Sequence, residues 1–245
     1  MLRTVLWYAF VILRTLATGY NYLKVIVLDK QGKTAAAEEV TAATARNWAR
    51  AAVLFSGSQV SVQGTENVPL EQSALFVANH QSYMDIAVLL GFVPGNKGFI
   101  AKIELAKIPL VSRWMERMHS LFLDRQNLRK SLLTMREAIK VLKDGHSLVI
   151  FPEGTRSKSN QVSEFKRGSL SIAEKAGVPV VPVAIIGSYK ILEGNRGMRV
   201  CPAQIKVIIE KPLYPGDMAP GKDLATYVRD MISTHVQNDE KSFPN

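Results

Sequence analysis

Two short segments about seventy residues apart carry the residue types that chemistry needs. The first is Asn79-His80-Gln81-Ser82-Tyr83-Met84-Asp85, with a histidine and an aspartate at H-x4-D spacing. The second is Phe151-Pro152-Glu153-Gly154-Thr155-Arg156-Ser157. A histidine beside a carboxylate is a general base with a group to orient it. A glycine-containing turn lets main-chain N–H groups converge on an anion, and an arginine beside it can grip a phosphate bidentately. Together the two segments describe a site that deprotonates a hydroxyl on a phosphate-bearing molecule.

The spacing constrains how His80 and Asp85 can meet. Residues five apart on a helix lie about 140° apart, so the pair cannot share one helix face. Ser82 to Asp85 reads S-x-x-D, the start of a helix with Ser82 as N-cap. His80 then occupies the entering turn, and Asp85 projects back toward it. From spacing alone, an ordinary surface histidine beside an ordinary cap competes with this reading, as an ordinary surface turn competes with the anion-binding reading of Phe151–Ser157. Between the two motifs, Lys102 and Arg125 follow apolar runs. A solvated helix start and a loop arginine paired with Asp124 are their unremarkable alternatives.

The elements that position these residues follow from the pattern. The strands expected are Gln59–Val62, Ala74–Ala78, Gly98–Ala101, Ser120–Leu123, Ser147–Phe151, Val180–Ile185 and Ile205–Ile209. The helices expected are Tyr83–Gly91, Pro109–Met118, Leu128–Lys143, Lys166–Ala176 and Asp223–Val236. Such alternation predicts an α/β fold with a central, mostly parallel sheet flanked by helices. His80 and the Glu153 turn both follow strand ends, where open α/β sheets build their sites. The polar tail from about Asn238 is expected to fray.

Ahead of this domain, Val5 to Leu28 is apolar apart from a few polar residues, among them Arg14 and Lys24. A signal peptide is disfavoured, since no small-residue cleavage site follows. A spanning helix would hold Arg14 near the bilayer centre at about 2.5–3.5 kcal/mol. On a helical wheel Arg3, Arg14, Thr15, Thr18, Asn21, Tyr22 and Asp29 form a polar stripe, with the leucines on the remainder. This favours a helix lying in the membrane interface, although Trp7, Val11 and Val25 intrude on the stripe; a spanning helix and a helix buried in the protein's own core are the alternatives. Ala35 to Phe55 reads as a second helix rich in small residues. The expected organisation is therefore a membrane-associating helical hairpin over 1–57 and an α/β domain over 58–245.

Composition narrows the partners. The 245 residues carry a net charge of +10, and mean hydropathy is close to zero. Eleven Lys/Arg stand against five Asp/Glu between Lys97 and Asp144. A basic surface suits an anionic membrane face or phosphorylated ligands. No helix-turn-helix, zinc-finger or RNA-recognition signature accompanies the charge, so no nucleic acid is expected. A serine hydrolase is disfavoured because no G-x-S-x-G turn is present. The single cysteine, Cys201, permits no intrachain disulfide and fits a reducing compartment.

The residues resemble the glycerolipid acyltransferase family, most closely bacterial 1-acylglycerol-3-phosphate acyltransferases. Four blocks stand in the family's order: Asn79–Asp85, Lys102 through Pro109 to Arg125, Phe151–Ser157, and Val178–Val183. The resemblance implies transfer of an acyl group from acyl-CoA or acyl-carrier protein to the sn-2 hydroxyl of lysophosphatidic acid, giving phosphatidic acid. It implies His80 as base and Asp85 as its orienting partner. It implies Lys102, Arg125, Glu153, Gly154, Thr155 and Arg156 as substrate-binding residues. It implies no covalent acyl-enzyme, no metal and no cofactor beyond the thioester co-substrate. It also implies a place on the cytoplasmic face of a bacterial membrane. Acyltransferases with other lysophospholipid or glycerol 3-phosphate acceptors share H-x4-D, and a non-catalytic membrane-binding protein is the rival outside enzymes.

Overall fold

The computed structural model describes residues 1–166, 168–217 and 223–242. Two helices lead: α1 (Leu2–Lys30) and α2 (Thr34–Phe55). Then follow β1 (Gln59–Gln63), β2 (Leu75–Ala78), α3 (Met84–Phe92), β3 (Lys97–Lys102), α4 (Val111–Arg117), β4 (Leu121–Leu123) and α5 (Leu128–Lys143). The chain closes with β5 (Ser147–Ile150), α6 (Ser171–Ala176), β6 (Val180–Ile186), β7 (Gln204–Ile209) and α7 (Leu224–Ser242). Every strand the pattern predicts is present.

Among the described residues these strands form one sheet in the order β1-β7-β6-β2-β5-β3-β4. The pairings are parallel except β6 with β7. Strand β2 lies between β6 and β5, with Val77 beside both Pro182 and Ile150. All four of its residues are buried, as expected of a strand covered on both faces. The pleat still sorts them. Phe76 and Ala78 pack with Val88 and Leu89 of α3, while Leu75 and Val77 pack with Leu142 of α5 and Ile232 of α7. Truncating a residue such as Phe76 to alanine costs about 3–5 kcal/mol.

The hairpin docks on the α3 side of the sheet. Small residues of α2 (Ala37, Thr41, Thr44, Ala49 and Ala52) are buried, and a Cβ at Gly91 of α3 would lie 2.9 Å from the Arg50 main-chain nitrogen. Helix α1 is tied inward by hydrogen bonds from Trp7 Nε1 to the Ala52 carbonyl (2.8 Å) and from Trp48 Nε1 to Thr15 Oγ1 (2.9 Å). Trp114 Nε1 donates to Thr18 Oγ1 (2.9 Å), and Asn21 Nδ2 to Thr44 Oγ1 (3.0 Å). This corrects the wheel reading. The stripe of Thr15, Thr18, Asn21 and Tyr22 meets α2 and α4 rather than headgroups, which is why Trp7, Val11 and Val25 share it. The leucine face is the exposed one: Leu13, Leu16 and Leu23 are each at least 63% accessible.

Two helices differ from expectation. The helix expected over Lys166–Ala176 begins only at Ser171, because Gly168 adopts a positive φ of 75°; Arg167 of that stretch lies outside the described residues. Helix α7 continues past Val236 to Ser242, through the segment expected to fray.

Candidate active site

The site lies at the carboxyl ends of the parallel strands, and five strands contribute to it. His80 follows β2, Lys102 ends β3, Arg125 follows β4, the Glu153–Arg156 turn follows β5, and Ser188 and Glu193 follow β6.

The turn after β2 is built by Asp85. Its Oδ2 accepts from the main-chain N–H of Gln81 (2.7 Å) and of Ser82 (2.9 Å), and lies 2.7 Å from His80 Nδ1. Ser188 Oγ donates to Oδ1. Ser82 Oγ accepts from Met84 N at 3.0 Å. Only half of the expected capping box forms, Asp85 reaching back to Ser82 N, because the Asp85 N–H bonds the Ser82 carbonyl instead of its hydroxyl and the N-cap of α3 is Tyr83, not Ser82. Asp85 is fully buried, so its charge depends on these donors. With Nδ1 on the carboxylate, Nε2 is the ring nitrogen left for a substrate. The imidazole also stacks on Phe151 with centroids 4.0 Å apart.

The second motif is joined to the first through main chain. Glu153 Oε1 accepts from His80 N (2.7 Å) and Oε2 from Ser163 N (3.0 Å). Ser157 N donates to the His80 carbonyl at 2.8 Å. Glu153 is 5% exposed. Burial pushes its carboxyl above the usual glutamate range, against the hydrogen bonds from His80 and Ser163. Gly154 holds φ at 74°, and a Cβ there would meet the end of the Lys166 side chain at 2.8 Å. Arg125 Nη1 donates to the Gly154 carbonyl. Partial burial draws the Arg125 guanidinium below its usual range, with Glu104 opposing.

Among the expected substrate-binding residues, Gly154 and Arg125 border one cavity of about 300 Å3, with Lys166, Ile150 and Met135 in its wall. Thr155 is exposed on the same turn. Lys102 points to solvent and pairs with Glu104 at 2.7 Å. Arg156 is partly buried, with Nη1 2.7 Å from Glu193 Oε1 and Cζ 3.4 Å from the Tyr83 ring centroid. Glu153, its carboxylate held by two main-chain N–H groups, is turned into the protein.

A second cavity, apolar and about 250 Å3, lies between the hairpin and helices α3 and α4. Trp7, Val11, Trp48, Met84 and Trp114 line it, and Tyr83 stands in its wall, inside the H-x4-D turn. Among the described residues no group of three His, Cys, Asp or Glu side chains has the placement to hold a metal ion.

Sequence reasoning missed Ser188, Glu193 and Asn79. Asn79 bridges β2 to β6, its side chain donating to the Ile185 carbonyl (2.8 Å) and accepting from Ile185 N (2.7 Å). It carried a signal, being polar at the end of an apolar strand. Ser188 and Glu193 had none, since more than a hundred residues separate them from their partners in the H-x4-D turn.

The chain resembles known proteins in the same region. Residues 59–186 match the Acyltransferase family model. The chloroplastic 1-acyl-sn-glycerol-3-phosphate acyltransferase BAT2 of Brassica napus is 36% identical over 172 residues, covering 69% of this chain and 49% of that protein. A probable 1-acyl-sn-glycerol-3-phosphate acyltransferase of Mycoplasma genitalium is 31% identical over 201 residues, covering 77% and 74%. The chain thus spans about half the length of the plant relative and most of the bacterial one. The crystal structure of PlsC, the 1-acyl-sn-glycerophosphate acyltransferase of Thermotoga maritima, superimposes with a TM-score of 0.87 at 32% identity, covering 100% of this chain and 97% of that one. The H-x4-D turn and the Glu153 turn both lie inside the matched region, and the chain belongs to the Acyltransferase family.

Proposed function

We propose that this protein transfers a fatty acyl group from a thioester donor to the sn-2 hydroxyl of lysophosphatidic acid, forming phosphatidic acid. The observation that carries the reading is the His80–Asp85 pair, with Nδ1 2.7 Å from a buried carboxylate oxygen. Nε2 takes the proton of the acceptor hydroxyl while its oxygen attacks the thioester carbonyl. The tetrahedral intermediate collapses and expels the thiolate, which receives the proton from the imidazolium. Asp85 stabilises that imidazolium and fixes its tautomer. General-base assistance of this kind contributes about 10²–10⁴-fold. The same pair serves a donor carried on coenzyme A or on acyl-carrier protein.

Arg156 and Arg125 supply positive charge for the acceptor phosphate, and Lys102 adds to the field at the β3 end. Gly154 shapes the turn between them. Glu153 acts from behind, holding the His80 peptide. The apolar cavity beside Tyr83 and Met84 suits an acyl chain. The exposed leucine face of α1 suits the membrane in which the acceptor resides, with the protein bound at the surface.

The test is acyl transfer from radiolabelled acyl-CoA and acyl-carrier protein to lysophosphatidic acid in vesicles. Phosphatidic acid is expected from wild type, with a loss of about 10²-fold or more in His80→Ala. No product from either donor refutes the acceptor, and undiminished product in His80→Ala refutes the base.

A further inference from the structure

Glu193 belongs to neither motif. It lies beyond β6 in sequence, its side chain only 2% exposed. Its Oε1 accepts from Tyr83 N (2.8 Å) and from Arg156 Nη1 (2.7 Å), and its Oε2 accepts from Ser82 Oγ (2.5 Å). The Arg156 guanidinium lies over the Tyr83 ring, Cζ 3.4 Å from its centroid. One buried carboxylate therefore joins the turn between His80 and Asp85 to the arginine of the second motif. A buried charge is costly unless paired and hydrogen-bonded. Here donors on both oxygens meet that requirement.

Two roles are physically distinct. A carboxylate on an arginine can compete with an anionic ligand, or it can hold the arginine where the ligand needs it. The geometry separates them. Glu193 is bound on both oxygens, once by main chain, so it has no freedom to swing aside. It engages Nη1 and leaves the other N–H groups of the planar fork. The Tyr83 ring meanwhile covers one face of the guanidinium.

We propose that Glu193 is a positioning residue that holds Arg156 against Tyr83, with the open edge of the guanidinium turned to the acceptor phosphate. It acts through Arg156 and does not touch substrate. This rests on the phosphate-bearing acceptor proposed above.

The experiment is a double-mutant cycle on the full chain. Glu193→Ala is expected to raise the KM for lysophosphatidic acid by about tenfold or more, the scale of a lost charge-assisted contact. The KM for the thioester donor should stay within about twofold, and so should Glu193→Ala/Arg156→Ala relative to Arg156→Ala alone, because coupled residues are not additive. Glu193→Gln, which keeps an acceptor oxygen, should recover part of the loss. Additive effects, or a fall in kcat without a change in acceptor KM, overturn the proposal. So does a lower KM, which would mark Glu193 as a competitor. A second measurement is independent of turnover. Amide exchange at Tyr83 and the Arg156 guanidinium resonance should both change in Glu193→Ala, with amides of β2 and β5 unchanged. If wild type acylates no phosphate-bearing acceptor, the proposed reaction falls, and these two signals decide the assignment. Unchanged signals overturn it.

Discussion

The main-chain N–H of His80 donates to Glu153 Oε1 at 2.7 Å, across 73 residues of sequence. The bond fixes the peptide that carries the imidazole, and the Ser157 N–H closes the same link from the other side of His80. A glutamate in a glycine turn is easily taken for a ligand to substrate. Here both oxygens are spent on main chain, and the side chain's contribution is the relative placement of base and turn.

Glu153→Gln tests this. An amide has one acceptor oxygen, so one of the two buried N–H groups loses its partner, at about 1–3 kcal/mol. The pH dependence changes as well. Burial raises the folded-state pKa of Glu153 above its unfolded value of 4.5. Between those values the folded state holds a proton that the unfolded state has released, so this group's contribution to stability falls as pH rises. Urea denaturation from pH 4.5 upward should show that fall in wild type and its absence from Glu153→Gln. Superimposable pH profiles would contradict the assignment.

Asp85→Asn should keep the turn, since an amide oxygen still accepts from Gln81 and Ser82, but it cannot stabilise an imidazolium. The expected loss in kcat is about 10³–10⁴-fold, the scale known for orienting carboxylates, with near-native circular dichroism. Ser188→Ala removes the donor to Oδ1, together with a longer contact to Gln81 Oε1 at 3.4 Å. It should cost about 1–3 kcal/mol of stability and a smaller share of kcat. An Asp85→Asn enzyme within about tenfold of wild type would remove the carboxylate from the mechanism.

The sheet and the His80–Asp85 contact were legible because both are local. Strands as apolar as Ser147–Ile150 and Val180–Ile186 announce themselves, and an aspartate in the first turn of a helix reaches back to His80, although the helix starts one residue later than the S-x-x-D pattern implied, with Tyr83 rather than Ser82 as N-cap. The inward face of α1 was not legible. Its contacts are hydroxyls and indoles, Thr18 with Trp114 and Thr15 with Trp48, and a hydropathy wheel scores threonine as solvent-facing. Glu193 was illegible for another reason: its role exists only once β6 lies beside β2, and sequence spacing does not encode that neighbourhood. The early end assigned to α7 has a similar source, because polarity alone does not end a helix.

Gly154→Ala separates the turn from the base. At φ 74° a Cβ costs about 1–2 kcal/mol, and the Lys166 tail must withdraw from the same space. The Gly154 carbonyl that accepts from Arg125 shifts with the strain. The acceptor KM should rise by about an order of magnitude, in line with loss of an aligned charged contact, while the donor KM holds. Equal increases in both would mean that the turn serves general stability instead.

The exposed face of α1 is the last relationship open to test. Leu13, Leu16 and Leu23 are 67%, 63% and 63% accessible, whereas Thr18 between them is 8%. Burying a leucine releases about 1.5–3 kcal/mol, so exchanging all three for glutamate should weaken vesicle binding by more than about 10³-fold. Because these side chains turn away from α2 and α4, thermal stability should hold, and so should turnover of detergent-dispersed acceptor. Trp7→Ala is the opposing case. It empties an inward site that bonds the Ala52 carbonyl and should lower stability by about 3–5 kcal/mol. Co-sedimentation with anionic vesicles checks the first variant and urea denaturation the second. A triple-glutamate variant that still sediments would place the membrane contact elsewhere on the molecule.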